Sequence, residues 1–262
     1  MFKLIQTAHA AEEAGGGISV HLAPYVLGHV GGMPITATLV TSWVAMFMLI
    51  AFAFFFTRKL KQIPGKFQSF VELLVGGAYD FVETTLEDKE LARKYFPILM
   101  TIFLFLLVMN WLGLLPGVTS IGFYEGHGSE KHLIPFLYPP ATDLNITLAF
   151  AFIAMAVIEF AGIVSLGFWK YGSKFINFSS PMNFIVGIIE LISELGRIVS
   201  FSFRLFGNIF AGKTLLLVII FFAPFVLPVP ILAYETFVGF IQAGVFMFLT
   251  LIFIKLAVSE PH

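Results

Sequence analysis

The segment from Met182 to Ala223 restricts the fold of this chain more than any other feature. It is 42 residues long, mainly apolar, and contains no proline. At about 1.5 Å of rise per residue, a helix of this length reaches roughly 60 Å, which is about twice the thickness of the hydrocarbon core of a bilayer. Because no proline divides it, the segment is predicted to form one long, strongly tilted helix that protein partly shields from lipid.

Arg204 lies inside this apolar segment, in the stretch Ser200-Phe-Ser-Phe-Arg-Leu-Phe-Gly-Asn208. A guanidinium keeps its charge wherever the fold places it. At the centre of a bilayer an arginine costs at least about 2.5–3.5 kcal/mol on insertion scales. A charge that is retained at such a cost indicates an ion or proton pathway. Arg204 is therefore the first candidate site residue.

The composition predicts an all-α integral membrane protein. Of the 262 residues, 58% are hydrophobic and 12% are charged, which is outside the range of soluble domains. The net charge of −1 gives no indication of a nucleic-acid partner. The chain has no cysteine, which excludes disulfides and cysteine-ligated metals. No cofactor and no metal site are predicted.

Five membrane-spanning helices are predicted, within a single membrane domain that covers 1–262. One crossing needs about 20 apolar residues, and runs of that length recur along the chain. The predicted spans are 35–56, 96–115, 144–169, 182–223 and 231–258, of which the last two are long and tilted. Residues 1–34 are predicted to form an external N-terminal segment.

The segment 66–90 is predicted to be an amphipathic helix rather than a sixth span. Its apolar residues recur at helical spacing from Phe67 to Leu86, and acidic residues such as Glu72 and Asp80 occupy much of the remainder. A helix of this kind lies on the membrane surface or against a neighbouring subunit.

The distribution of lysine and arginine predicts the orientation of the chain. With five crossings, one side holds Arg58, Lys59, Lys61, Lys66, Lys89, Arg93, Lys94, Lys170 and Lys174. The other side holds only Lys3 and Lys131. The positive-inside rule makes the first side cytoplasmic, so the N-terminus is predicted outside and the C-terminus inside.

The polar residues of the long segment fall on one helical face, here called the polar stripe. At about 100° per residue, an arc of roughly 120° holds Asn183, Glu190, Ser193, Glu194, Arg197, Ser200, Arg204 and Asn208. Lys213 falls on the opposite side. The polar stripe is therefore predicted to be wet or to face a charged partner.

Simpler roles for some of these charges stay open. Arg197 suits an anchor that reaches the membrane interface. The alternative is a structural ion pair with Glu190 and Glu194, which lie seven and three residues earlier. For Arg204 the alternative role is a structural salt bridge to Glu159.

Two polar residues of the last span also need a role. Gln242 lies mid-span, where it would either join two helices by hydrogen bonds or orient Arg204. Glu235 lies seven residues earlier on the same face. It is predicted to pair with Lys213, because both lie toward the outer ends of adjacent long helices. Lys255 is interpreted as an interfacial anchor.

Several motifs resemble the a subunit (subunit 6) of F-type rotary ATP synthases. The most specific are Arg204-Leu-Phe-Gly-Asn208 and Gly239-Phe-Ile-Gln-Ala-Gly-Val-Phe246. The others are Phe96-Pro-Ile-Leu, Asn110-Trp-Leu-Gly-Leu-Leu-Pro116, Pro140-Ala-Thr-Asp-Leu-Asn-Ile-Thr-Leu148 and Pro181-Met-Asn183. The resemblance extends in order over about residues 20 to 258.

The resemblance implies an ion-conducting stator subunit of the membrane (Fo) sector in the bacterial inner membrane. No nucleotide site is predicted on the chain, because it has no Gly-x-x-x-x-Gly-Lys-Ser/Thr motif, and Gly212-Lys213-Thr214 shares only the ending of one. The implied partners are the ring of c subunits, the b-subunit stalk, other subunits of the synthase, lipid, and protons or Na⁺. The resemblance assigns Arg204 as the essential arginine that faces the ring. The implied proton pathway holds Glu190, Ser200, Asn208, Gln242, Glu235, Lys213, Asp143 and Asn145. The sequence adds two candidates to this pathway, Glu194 on the polar stripe and the intramembrane Glu159.

The chain departs from the family at two positions. Ile198 stands near the place of a usual proline, and Lys213 stands where many bacterial members have glutamate or histidine. Lysine relays protons poorly because its amine holds its proton at neutral pH. A structural pair with Glu235 is therefore favoured over proton relay. A secondary ion or solute transporter is the alternative function, although neither repeats nor broken helices are visible in the sequence.

Overall fold

The computed structural model describes residues 24–58, 60–115, 117–125, 132–172, 175 and 181–259. The helices are α1 (Ala37–Arg58), α2 (Lys66–Leu86), α3 (Lys89–Leu114), α4 (Leu144–Leu166), α5 (Phe168–Gly172), α6 (Pro181–Phe222) and α7 (Pro228–Val258). The strands are β1 (Val26–Val30), β2 (Met33–Thr36), β3 (Gly122–Glu125) and β4 (His132–Pro135). Most of the predicted external segment 1–34 lies outside the described residues.

Among the described residues, five helices are long and apolar enough to cross a membrane: α1, α3, α4, α6 and α7. This confirms the predicted fold class. The helix bounds extend past the uncharged runs, because charged residues continue a helix at its ends: α1 runs on to Arg58 and α3 begins at Lys89. The predicted span 144–169 ends early, at Leu166, because Gly167 adopts a positive φ of 87°.

Helix α6 is one continuous helix of 42 residues, as the absence of proline predicted. In the most apolar stretch of α6 only 17% of the residues are buried, and in that of α1 only 11%. The corresponding share in α7 is 44%. Helix α7 is thus a core helix, whereas α1 and α6 leave apolar surface for lipid or for other proteins. The tilt of α6 and α7 stays a prediction.

The amphipathic helix α2 ends at Leu86, which corrects the predicted boundary at residue 90. Glu87 adopts a left-handed conformation, with φ of 57°, and its N–H donates to the carbonyl of Glu83. The Oδ1 atom of Asp88 then accepts hydrogen bonds from the amides of Glu90 and Leu91, at 2.7 and 3.0 Å. These contacts cap the start of α3, so the residues from 89 onward belong to the next span.

Two short antiparallel hairpins, β1–β2 and β3–β4, were not predicted. The first turns at Gly31 and Gly32, whose φ angles of 59° and 86° suit the two-residue turn of a hairpin. In the second, Gly122 lies against the backbone of Ile134, where a Cβ atom would collide with the carbonyl.

By its contacts the chain groups into two compact units, each described here by itself. The first comprises Met1–Met46, Leu107–Thr147 and Arg204–Gln242, and it contains both hairpins. The second comprises Phe47–Leu106, Leu148–Phe203 and Ala243–His262. Its apolar core joins residues of α2, α3, α4 and α7, among them the fully buried Val82, Leu99, Ile158 and Leu251. The single membrane domain over 1–262 stays a prediction.

Candidate functional site

The polar stripe of α6 lies largely outside the core of this chain. Asn183, Ser193, Ser200 and Asn208 are exposed, Glu190, Arg197 and Arg204 are half-buried, and Glu194 is buried. Next to Arg204, the Phe203 side chain is 54% exposed and Leu205 is fully buried. The arginine thus lies at the edge between the core and the outer apolar face of the helix. This placement leaves its face of α6 accessible to another molecule.

Arg197 and two glutamates form an ion cluster in the second unit. Arg197 Nη1 donates to Glu194 Oε1 at 2.7 Å, and its Nη2 lies 3.9 Å from Glu190 Oε1. The guanidinium also lies over the ring of Phe253, 4.6 Å from the centroid. Of the two open roles for Arg197, the geometry supports the structural ion cluster. A guanidinium that is bound to a buried carboxylate and packed on an aromatic ring has little freedom to extend to the membrane interface.

Gln242 joins the last two helices within the first unit. The Asn208 side-chain amide donates to Gln242 Oε1 at 2.7 Å, one helical turn after Arg204. Gln242 is only 3% exposed, and its Nε2 finds no hydrogen-bond partner among the described residues. Of its two predicted roles, the hydrogen bond between helices is present in the structure. The orientation of Arg204 by Gln242 stays a prediction.

The predicted ion pair between Lys213 and Glu235 is wrong in this structure. Within the described part of the chain, no nitrogen–oxygen distance of 4.0 Å or less joins them, and Lys213 Nζ is buried without a hydrogen-bond partner. The ammonium instead lies 3.2 Å from the centroid of the Tyr138 ring. The Glu235 carboxylate lies against Gly212, where a side chain would collide with it. The Lys213 ammonium thus lies on the Tyr138 ring, and the Glu235 carboxylate fills the space beside Gly212, so the two charges lie at separate places.

Lys213 and Glu235 nevertheless line one cavity of about 320 Å³ in the first unit. Asn110 and Thr119 add polar groups to its wall. Asn110 Nδ2 donates to the Gly239 carbonyl at 3.0 Å, but its Oδ1 is buried without a partner in the described structure. Buried water occupies cavities that are roomy and offer two to four polar groups. At about 30 Å³ per molecule, this cavity has room for on the order of ten waters.

Asp143 and Asn145 lie at the start of α4. Asp143 is 5% exposed, and its Oδ2 accepts a 2.8 Å hydrogen bond from the Thr38 hydroxyl. Its Oδ1 accepts from the backbone N and the side-chain Nδ2 of Asn145, at 3.0 and 3.1 Å. Asp143 is therefore a buried helix cap. Asn145 is exposed and suits the predicted proton pathway better than Asp143 does.

Glu159 lies on α4 in the second unit. Its Oε1 is buried and has no hydrogen-bond partner among the described residues. Burial raises the pKa of Tyr171, and the charge of Glu159 raises it further. The Tyr171 ring packs against Gly162 and occupies the space that a side chain at that position would need. The alternative bridge from Glu159 to Arg204 stays a prediction.

Sequence reasoning missed Tyr138 and the role of Gly212. Tyr138 follows β4 in a connecting segment far from Lys213 in the chain, so no local spacing relates the two. Gly212 belongs to the tripeptide Gly212-Lys213-Thr214, which has the ending of a phosphate-binding motif. That tripeptide lies inside α6, where the backbone is helical and does not form a phosphate-binding loop. A glycine among bulky residues of a long helix was the available signal for a close approach.

Comparison with known proteins shows the same family along nearly the whole chain. A family model described as ATP synthase A chain matches residues 39–255. ATP synthase subunit a 3 of Pelobacter propionicus is 34% identical over 245 residues, which are 92% of this chain and 94% of that protein. ATP synthase subunit a of Moorella thermoacetica is 34% identical over 234 residues, with 89% and 96% covered. Because the match runs from the first span into the last and covers nearly all of these relatives, the chain belongs to the ATP synthase A chain family.

Proposed function

We propose that the chain is the ion-conducting stator subunit of the Fo sector, with Arg204 as the charge that faces a rotating ring of c subunits. The observation that carries this proposal is the position of Arg204. It lies half-buried on the polar stripe of a continuous apolar helix, outside the core of its own chain. A fixed cation in that position suits a carboxylate presented by another subunit.

The surroundings of the polar stripe favour a protein partner. The side chains of Ile189, Ile192, Val199 and Phe203 are between 53% and 62% exposed on α6. A charge with exposed apolar neighbours suits an apolar helix that carries one carboxylate, as a ring of c subunits would present. The b-subunit stalk and other synthase subunits complete the proposed partners. The bacterial inner membrane, with the N-terminus outside and the C-terminus in the cytoplasm, is the proposed location.

The proposed mechanism follows from the cost of charge in lipid. A ring carboxylate in lipid carries its proton, because a bare charge there is expensive. Beside Arg204 the ionised form is favoured, and the proton leaves through one aqueous half-channel. The carboxylate takes a proton from the other half-channel before it returns to lipid. The fixed charge of Arg204 also repels a proton that would otherwise cross directly.

Each half-channel draws on groups within one of the two units. On the cytoplasmic side the proposed path passes Glu190, Glu194 and Ser200. On the outer side it passes the cavity lined by Lys213 and Glu235. Each charge that crosses yields about 2.3 kcal/mol per 100 mV, so several must cross for each ATP.

The decisive experiment replaces Arg204 in the complete, reconstituted synthase. Arg204→Ala is expected to abolish ATP-driven pumping while the complex still assembles, because only a charge is removed from a face outside the core. Arg204→Lys is expected to fail largely, since an ammonium lacks the planar fork and gives up its proton when desolvated. Lys255→Ala is the control: its ammonium is held by the exposed Glu87 and lies outside the proposed path, so substantial pumping is expected.

The measurement is the quenching of a pH-sensitive dye in proteoliposomes on addition of ATP, with and without Na⁺ to identify the ion. Appreciable coupled pumping by the Arg204→Ala complex would overturn the proposal. The alternative, a secondary transporter, predicts instead that the chain reconstituted alone moves a solute without any c subunit.

A further inference from the structure

We propose that Tyr138 is a positioning residue that holds the Lys213 ammonium away from the Glu235 carboxylate, which leaves Glu235 able to exchange protons with water in the cavity. This inference rests on the proposed function, in which the cavity belongs to the outer half-channel. The sequence predicted that Lys213 and Glu235 neutralise each other in an ion pair. In this inference the two charges are instead held separately.

The contact between Tyr138 and Lys213 is close and has no competitor among the described residues. Lys213 Nζ lies 3.2 Å from the ring centroid and has no hydrogen-bond partner in that part of the chain. An ammonium buried without a partner is costly. The negative face of an aromatic ring compensates part of that cost, most strongly where water is excluded. The ring is therefore the group that stabilises this cation.

The Tyr138 ring is itself fixed from several sides. Its backbone N–H donates to the Thr41 hydroxyl at 2.9 Å. The Tyr25 ring packs against it edge to face, with centroids 5.1 Å apart. The next residue, Pro139, occupies the space where Gly113 has no side chain. Burial raises the pKa of Tyr138, so its phenol stays neutral and the ring presents a constant face. The platform under Lys213 is thus rigid.

The Glu235 carboxylate is held separately, against Gly212. It is 4% exposed, and together with Lys213 and Asn110 it lines the cavity. Two opposite charges in a low-dielectric site attract strongly and close into an ion pair unless something holds them apart. A closed pair would lock the carboxylate in its ionised form. Held open, a carboxylate oxygen accepts a proton from cavity water and returns it.

The test varies the electron density of the ring while keeping its shape. The complete reconstituted synthase carries Tyr138→Phe, or phenylalanine with one, two or three fluorines at position 138. Fluorine withdraws density from the ring face and weakens its hold on the ammonium. Tyr138→Phe is expected to pump nearly as well as the unmodified complex. Across the fluorinated series, ATP-driven pumping is expected to fall stepwise, by roughly three- to tenfold in all.

A second background separates positioning from packing. The Lys213→Met variant has no ammonium at this position. Its pumping is therefore expected to be the same across the fluorinated series. A flat series with Lys213 present overturns the inference, and so does a dependence that persists in Lys213→Met. If Lys213→Met pumps too little to measure, the series with Lys213 decides alone, because fluorination leaves packing unchanged. Pumping by Arg204→Ala would contradict the proposed function, whereas a flat series beside an inactive Arg204→Ala contradicts only the role of Tyr138.

Discussion

Asn208 Nδ2 lies 2.7 Å from Gln242 Oε1 and donates to it, joining α6 to α7 one turn beyond Arg204. Both residues belong to the first compact unit. In an apolar environment such a bond fixes the rotation and the depth of one helix relative to the other, because each amide has few other partners. It therefore fixes the part of α6 that carries Arg204.

We expect Gln242→Leu to lower ATP-driven pumping severalfold, because it removes the acceptor for Asn208 and loosens α6 beside Arg204. Hydrogen bonds between membrane helices contribute about 0.6–2 kcal/mol, which sets the scale of the effect. In a double-mutant cycle with Asn208→Leu, the losses in pumping should be less than additive. Strictly additive losses would show that the two side chains do not act together.

A glycine in α6 leads to the second prediction. At Gly212 a Cβ atom would collide with the Glu235 carboxylate, so Gly212→Ala must displace that group or spread α6 from α7. Because the carboxylate is the flexible end of a side chain, it is the group that moves, and we expect reduced pumping with little change in the thermal stability of the purified complex. The control is Gly244→Ala on α7, where the added methyl meets only Phe103 at 4.0 Å, an ordinary contact. Equal behaviour of the two variants would contradict the close approach of Glu235 to α6.

Most of the helical architecture could be predicted because it follows from local sequence. The five spans required only the length of apolar runs, and the unbroken α6 required only the absence of proline between Met182 and Ala223. The polar stripe followed from the period of the helix alone. The same reasoning misplaced the end of α2, which depends on the single left-handed residue Glu87.

The contacts of the site were harder to predict, because they depend on which helix faces meet. Opposite charge and similar depth in adjacent helices predicted a pair between Lys213 and Glu235. In the structure a neutral ring, Tyr138, and a missing side chain, Gly212, decide where these two charges lie. The family resemblance placed Asp143 in the proton pathway, yet Asp143 is buried, and its Oδ1 accepts from the Asn145 amide, which makes it a cap of α4. Neither outcome has a signal in the spacing of residues along the chain.

The third prediction concerns the two proposed half-channels and uses the absence of cysteine in the chain. Cysteines introduced singly at Asn145 and Glu190 give a reactive thiol at each proposed path. Asn145 is exposed at the start of α4, and Glu190 is half-buried on the polar stripe of α6. If water reaches each site from its own side, a membrane-impermeant thiol reagent should label Asn145→Cys only from outside and Glu190→Cys only from the cytoplasm.

The labelling is measured in right-side-out and inside-out vesicles that contain the assembled complex. Ala154→Cys is the buried control, because Ala154 is fully buried within α4 and should react from neither side. A thiol also needs to be ionised to react, so labelling should increase with pH at both sites where water is present. If Asn145→Cys and Glu190→Cys react equally from one side, either the orientation from the positive-inside rule or the division into two half-channels is wrong. If Asn145→Cys reacts only from outside and Glu190→Cys only from the cytoplasm, the result supports both the orientation and the two half-channels. Neither of these alone would produce that labelling.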